Sequence, residues 1–254
     1  MPTDSRTVRR FIAFQHDQNI SPKTGIVYIA AIRKEHVNSG CTDPCIHDGK
    51  LKFILKGWCR TTKINMQIRR PITYSTLKLI KQRMRTECTL SGQDKLMLWS
   101  AFTLAYYGFL RVSEYTTTSR NVNQASLLLS DLILKPGHLL LLVRKDKTNQ
   151  CGFPICLKLK ITLKSCCPVR AFIKYCHGRT KSDQHSICFV FEDGKFLTRQ
   201  NVNYWLKVIL GGGFSSHSFR IGAATSAQND GWTTEQIRTA GRWKSNVYMK
   251  YIRQ

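Results

Sequence analysis

The chain holds 254 residues, enough for one or two domains and a sizeable buried core. Hydrophobic residues make up 42% and charged residues 22%, which excludes wholesale disorder and collagen-like repetition. Forty Lys and Arg face fifteen Asp and Glu, and a net charge of +25 repels itself on folding unless a polyanion offsets it, the footprint of a nucleic-acid binder.

The excess is spread along the chain. Eleven basic residues stand against five acidic ones up to position 68, and twenty-nine against ten after it, so a basic surface is expected and not a disordered arm. Thr7–Gln15 and Lys23–Val37 carry apolar residues at helical spacing, the second opened by Ser21-Pro22 and ended by Gly40. Leu51–Lys63 predicts a third helix with Leu51, Ile54, Leu55 and Trp58 on one face and lysines on the other. The polar, basic stretch Thr61–Pro71 marks a boundary near Gln67, giving domains 1–68 and 69–254.

In the second part, Thr73-Tyr74-Ser75 caps a helix through Arg85, and Asp94 opens a buried helix expected to stop near Leu110. Its uncharged run, Leu96–Leu110, has fifteen residues and is too short to span a bilayer, so no membrane partner is expected. Apolar runs at Leu127–Leu134, Leu139–Arg144 and Phe153–Leu159, separated by Pro136-Gly137 and Asn149-Gln150-Cys151-Gly152, predict a three-stranded antiparallel meander. Helical patterning returns at Pro168–His177, Thr198–Leu210, Ser218–Asn229, Thr234–Ala240 and from Asn246 to the end. The fold class expected is mainly α with a small antiparallel β-sheet (α+β).

Ten cysteines and a polar, basic Met1–Arg10 without signal-peptide pattern point to thiols in a reducing, intracellular compartment. His36, Cys41, Cys45 and His47 lack a second ligand pair, and Cys166, Cys167, Cys176 and His177 fare no better, so no metal and no small-molecule cofactor is expected.

Several charged residues interrupt apolar patterns. Arg111 follows LAYYGFL directly and Glu114 comes three residues later, so both are expected on one helix face at the end of a buried segment. An internal ion pair accounts for them; so does a bound anion. His217-Ser218-Phe219-Arg220 follows Gly211-Gly212-Gly213 and opens a helix, and an Arg in a first turn opposes the macrodipole unless an anion is present. Gly241-Arg242-Trp243 precedes Tyr251, and Lys147 lies in the turn DKTNQCG between two predicted strands. Two arginines, a histidine, a lysine, a tryptophan and a late tyrosine are what metal-free phosphoryl transfer on DNA needs. Guanidinium forks neutralise the charge of the pentacoordinate state, a phenol is the covalent nucleophile, and a flexible lysine protonates the departing sugar oxygen.

In this order, from Asp94 to Arg253, the motifs resemble the tyrosine recombinase (phage integrase) family, and the helical unit before them is similar to its core-binding domain. YYGFLRVSE, HSFRIGAAT and AGRWKSNVYMKYIR, with YIAAIRKEH and LKFILKGWCR upstream, are most similar to recombinases of eukaryotic mobile elements of DIRS-like and Crypton-like kind. The resemblance implies a shortened, SAM-like helical domain at 1–68 and a catalytic domain at 69–254, closing on duplex DNA as a C-shaped clamp. It implies that Arg111 and Arg220 clamp the scissile phosphate, His217 assists proton movement, Lys147 is the general acid, and Trp243 donates its indole N–H to the phosphate. Glu114 would orient the site, and Tyr251 would attack to give a 3′-phosphotyrosyl enzyme.

Alternatives stand beside two of these residue roles. Tyr248 competes for the role of Tyr251, and Lys145 and Lys158 for that of Lys147. The eight residues from Trp243 to Tyr251 are one fewer than the commonest family spacing, which requires a tightened helix start. Arg33, Lys34, Lys52, Lys56, Arg60 and Lys63, with Arg69, Arg70, Arg199, Lys207, Arg242 and Lys244, are expected to contact DNA phosphates from one concave face. The function implied is strand cleavage and rejoining during integration or excision of a mobile element, by four protomers on two DNA sites, in the nucleus. A non-catalytic DNA-binding derivative fits part of the pattern but not the complete set of reactive side chains; a type IB topoisomerase-like enzyme fits the chemistry but lacks its long linker.

Overall fold

The computed structural model describes residues 2–62, 69–87, 89–117, 126–144, 154–179 and 186–253. The chain divides into two compact units, Met1–Gln67 and Ile68–Gln254.

Among its described residues the first unit holds three helices, α1 (Ser5–Asp17), α2 (Pro22–Asn38) and α3 (Gly49–Thr61). Each begins where a side chain satisfies amide donors that have no intrahelical partner: Asp4 accepts from Thr7 N, Ser21 from Thr24 N, and Asp48 from Lys50 N and Leu51 N. Their shared core is small: Val8, Ile12, Ile29, Leu51 and Trp58. Leu51, Leu55 and Trp58 face it, whereas Ile54, expected with them, is 38% exposed at the edge of that face. Gly25 admits the indole of Trp58, since a Cβ there would lie 2.2 Å from the ring. Trp58→Ala should cost about 3–5 kcal/mol, most of the stability available to so few buried side chains. Hydrogen exchange of the α1–α3 amides in the variant measures it, and native-like protection would refute this account of the core.

The second unit is built on α5 (Gly92–Tyr107), preceded by α4 (Tyr74–Thr86). Buried residues all around α5, from Met97 to Tyr106, mark it as a central helix. A four-residue α6 (Val112–Tyr115) follows, then an antiparallel sheet of β1 (Leu132–Lys135), β2 (His138–Val143) and β3 (Ile155–Lys160) in that order. Leu139, Leu141 and Val143 of the middle strand point into the core at the period of two that a one-sided sheet requires. Among the described residues four α-helices follow the sheet: α7 (Pro168–Gly178), α8 (Arg199–Leu210), α9 (Ser218–Asn229) and α10 (Thr234–Gly241). Both α7 and α9 pack on α5. On α9, Gly222 lies against the backbone of Ile72, where a Cβ would be 1.8 Å from the carbonyl oxygen.

The expected first strand and the expected last helix both differ. The first strand begins at Leu132, because Leu129–Asp131 forms a 3₁₀ turn: the buried Asp131 carboxylate accepts from Leu128 N at 2.9 Å and pairs with Arg144 at 2.8 Å. The last segment, Asn246–Tyr251, is wound as a 3₁₀ helix and not an α-helix.

Among the described residues no helix is long and apolar enough to cross a membrane, and no group of three His, Cys, Asp or Glu side chains could hold a metal ion. Both ring nitrogens of His36 are engaged, one accepting from Thr3 N and the other meeting Ile32 O, each at 2.8 Å.

Candidate active site

The site begins where α5 ends. Arg111 and Glu114 do not share its last turn, as the uninterrupted apolar run suggested; α5 stops at Tyr107, and Arg111 is the N-cap of the separate α6. Between them Phe109 adopts φ 48°, a left-handed conformation costly for an aromatic residue and maintained only where surrounding contacts demand it. Those contacts are identifiable. The Phe109 carbonyl accepts from the guanidinium of Arg220 and from Arg242 Nη2 at 3.4 Å, and the Gly108 carbonyl accepts from Arg242 Nη1 at 3.1 Å.

Glu114 is the electrostatic centre of this corner. Its side chain is 1% exposed; Oε2 accepts from Arg111 N at 2.9 Å and Arg242 Nη2 at 2.6 Å, and Oε1 accepts from Arg111 Nη1 at 3.1 Å. The ion pair expected from the sequence therefore forms, with a second arginine added to it. Arg242 was expected on the DNA-facing surface; with its side chain 5% exposed and its guanidinium on Glu114, Gly108 and Phe109, it is an internal anchor instead.

The helix α9 brings the second group. His217 is its N-cap residue and Arg220 lies in its first turn. Arg220 is completely buried, donating to the carbonyls of Phe109 and Gly241, with its guanidinium 4.3 Å from the Trp243 ring centroid and 5.9 Å from that of Tyr251. Burial, and next the neighbouring Arg111 and Arg242 charges, push its pKa down to about 9. His217 is pushed down to about 4, by burial first and then by Arg69, Arg220, Arg199 and Arg111. Three guanidiniums around one carboxylate leave a cationic excess in a desolvated corner, and an arriving anion would reverse these like-charge shifts.

Trp243 and Tyr251 close the site. Gly241 makes room for the indole, since a Cβ there would lie 1.7 Å from the Trp243 ring, and Arg242 between them takes φ 55° to turn the chain. The Tyr251 ring lies 5.0 Å from His217 and 5.1 Å from Trp243, centroid to centroid. Thr225 of α9 pins both sides of it, donating to Tyr251 O at 3.3 Å and accepting from Arg253 N at 3.2 Å. The 3₁₀ winding is the tightening that an eight-residue spacing requires. Tyr248 is placed differently: it is 5% exposed and donates its phenol to Thr234 Oγ1 at 3.0 Å.

Arg111, Glu114, His217, Arg220, Trp243 and Tyr251 thus come together in the second unit. No profile of a known sequence family and no curated protein sequence matches the chain. Solved structures do, at low identity. XerH site-specific recombinase bound to palindromic difH substrate in a post-cleavage complex superposes with a TM-score of 0.65 at 12% identity, covering 99% of this chain and 67% of that one. The Tn1549 transposon integrase in complex with circular intermediate DNA gives 0.61 at 12% identity, covering 99% and 81%. A lambda integrase dimer bound to a COC′ core site gives 0.59 at 13% identity, covering 98% and 64%. The fold is that of the tyrosine recombinases.

Within this recombinase fold, the other expected residues have the following places. Lys147 and its alternative Lys145 lie outside the described residues, as does Lys63; Lys158 is exposed on β3, opposite Leu140. Lys34, Lys52, Lys56 and Arg60 are exposed in the first unit, while Arg33 engages both oxygens of Asp43, Nε donating to Oδ1 at 3.1 Å and Nη2 to Oδ2 at 2.7 Å. In the second unit Arg69, Arg70, Arg199, Lys207 and Lys244 are exposed. Sequence reasoning missed the carbonyls of Gly108, Phe109 and Gly241, which no side-chain pattern can announce. It also missed Thr225 and the role of Arg242, whose one signal was a lone acid, Glu114, among several arginines.

His217 carries a pH signature. Its folded pKa of about 4 lies below the unfolded 6.5, so the stability it contributes is complete above pH 6.5 and is lost as pH falls toward 4. Thermal melts should show wild type losing stability relative to His217→Asn over that window. Parallel curves would show that His217 is not held neutral.

Proposed function

We propose that the chain cleaves and rejoins DNA strands through a 3′-phosphotyrosyl intermediate. The observation that carries this reading is the packing of His217, Arg220 and Trp243 around the Tyr251 ring, with Arg111 joined to Arg220 through Glu114, Arg242 and the Phe109 carbonyl. The fold shared with DNA-bound recombinases supports it.

In the proposed reaction the Tyr251 oxygen attacks phosphorus and its proton passes to His217, whose neutral state at pH 7 leaves a ring nitrogen able to take it. The bond from phosphorus to the 5′ oxygen breaks, and Lys147 gives that oxygen its proton. Arg111 and Arg220 neutralise the charge growing on the nonbridging oxygens. Because Arg220 is buried behind the Trp243 and Tyr251 rings, the phosphate reaches it only when the Tyr251 ring swings aside, a movement attack on phosphorus also requires. The phosphotyrosyl ester keeps the energy of the phosphodiester, so a free 5′ hydroxyl can reverse the step on the same or a partner strand. The setting we infer is integration or excision of a mobile element of DIRS-like or Crypton-like kind in the nucleus. The first unit would act as the core-binding domain, and four protomers on two duplex sites would exchange strands.

The test is covalent capture. Incubated without divalent metal on nicked duplexes from the DNA flanking its coding sequence, the protein should give an SDS-resistant adduct containing a 3′-phosphotyrosyl peptide. Binding without adduct on every such duplex would favour a non-catalytic DNA-binding protein. An adduct accompanied by relaxation of supercoils without strand exchange would favour the topoisomerase reading.

A further inference from the structure

A second site lies on the face made by α4, α5 and α7, where a cavity of about 250 Å³ opens. Each helix turns residues four apart into it: Lys81 and Arg85 from α4, Lys95 and Trp99 from α5, and Arg170 and Lys174 from α7. Among the described residues no acidic side chain lines it. Two of these pairs are like charges at a spacing that weakens a helix, and Lys95 and Arg170 stand in first turns, where a cation opposes the helix dipole. Five cations converging against both preferences make a site that an anion would relieve. Lys81 and Arg170 are also held in place, donating to the carbonyls of Ser165 and Thr162.

The remaining wall is apolar and flat. Trp99 is half-buried, with the Lys81 ammonium 5.7 Å from its ring centroid, and Met84, Leu96 and Ala171 complete the floor. Inorganic phosphate would leave this floor uncovered, and the stacked bases of a duplex are too bulky to enter a space of about eight waters at about 30 Å³ each. A single heterocycle could lie against the indole while its phosphates meet the rim. The geometry points to a nucleotide site: this cavity binds a phosphorylated nucleoside, either free or as the unpaired end of a strand. Trp99 stands eight residues before Tyr107, about 12 Å along α5. None of the six residues touches the Tyr251 cluster, so the inference stands whether or not the strand-cleavage reading does.

Calorimetry on the full chain tests it, using ATP, adenosine, inorganic phosphate and a short unpaired oligonucleotide, at the lowest salt concentration that abolishes binding of a mixed-sequence duplex. ATP should bind saturably with one site, and adenosine and inorganic phosphate should each be weaker by about tenfold or more. Trp99→Leu and the double variant Lys95→Gln/Lys174→Gln should each raise the ATP Kd about tenfold; if Trp99→Leu fails to fold, the double variant decides. Competition between oligonucleotide and ATP assigns the site to strand ends, and binding of ATP alone assigns it to free nucleotide. Absence of saturable ATP binding, equal affinity for inorganic phosphate, or affinity unchanged in the double variant overturns the proposal.

Discussion

Tyr251→Phe should abolish covalent capture of a nicked duplex and leave duplex binding intact, while Tyr248→Phe should retain capture. Tyr251 lies against His217 and Trp243 with the Arg220 guanidinium 5.9 Å from its ring, so of the two tyrosines its ring is the one packed beside an imidazole and a guanidinium. Removing that oxygen removes the atom that would bond to phosphorus. Tyr248 spends its hydroxyl on Thr234 at 3.0 Å inside the unit, so its loss should cost stability by about 1 kcal/mol and not chemistry. Denaturing gels of end-labelled duplex read the adduct, and thermal melts read the stability. Adduct lost in Tyr248→Phe and kept in Tyr251→Phe would reverse the roles and discard the reading of the 3₁₀ segment as the device that presents Tyr251.

The second large effect is expected at Arg242. Its guanidinium bonds Glu114, Gly108 O and Phe109 O at once, and Phe109 O also receives Arg220. Arg242→Met strips a partner from a carboxylate that is 1% exposed, a loss of about 3 kcal/mol or more, or roughly 10 °C in Tm for a unit of this size. Arg242→Lys should recover only part of it, because an ammonium cannot reproduce the planar fork. Glu114→Gln removes the charge that compensates three guanidiniums, so sulfate, standing in for the scissile phosphate, should stabilise this variant more than wild type. Both Arg242→Met and Glu114→Gln should slow adduct formation more than they weaken duplex binding, since they act on the placement of Arg111 and Arg220. Variants that lose binding and cleavage in equal proportion would instead make Arg242 part of the DNA-contacting surface.

Much of this arrangement was legible along the chain, and the exceptions share a cause. Ser21-Pro22 and the periodicity after it announce α2, and the break after Gly40 ends it near Asn38. The run from Leu96 to Leu110 correctly marks a central buried helix. Its true end at Tyr107 is marked by Gly108, a C-cap signal that the apolar Phe109-Leu110 after it masked. The chain leaves the helix there so that two carbonyls can meet guanidiniums more than a hundred residues away in sequence. The first strand likewise starts late because Asp131 is drawn to Arg144, a partner no local pattern specifies.

Composition and order alone settled that this is a strongly basic, mainly helical protein with a small sheet, and they picked out Arg111, Glu114, His217 and Arg220 as unusual for their positions, while the family resemblance singled out Trp243 and Tyr251. Local periodicity reports which face of an element is buried; it does not report what lies opposite. Whether an arginine ends in solvent, like Arg199, on a neighbouring carboxylate, like Arg33, or in the interior beside Glu114, like Arg242, depends on what the packed core places against it. Only tertiary structure decides that, because a buried charge persists only where partners from distant segments satisfy it.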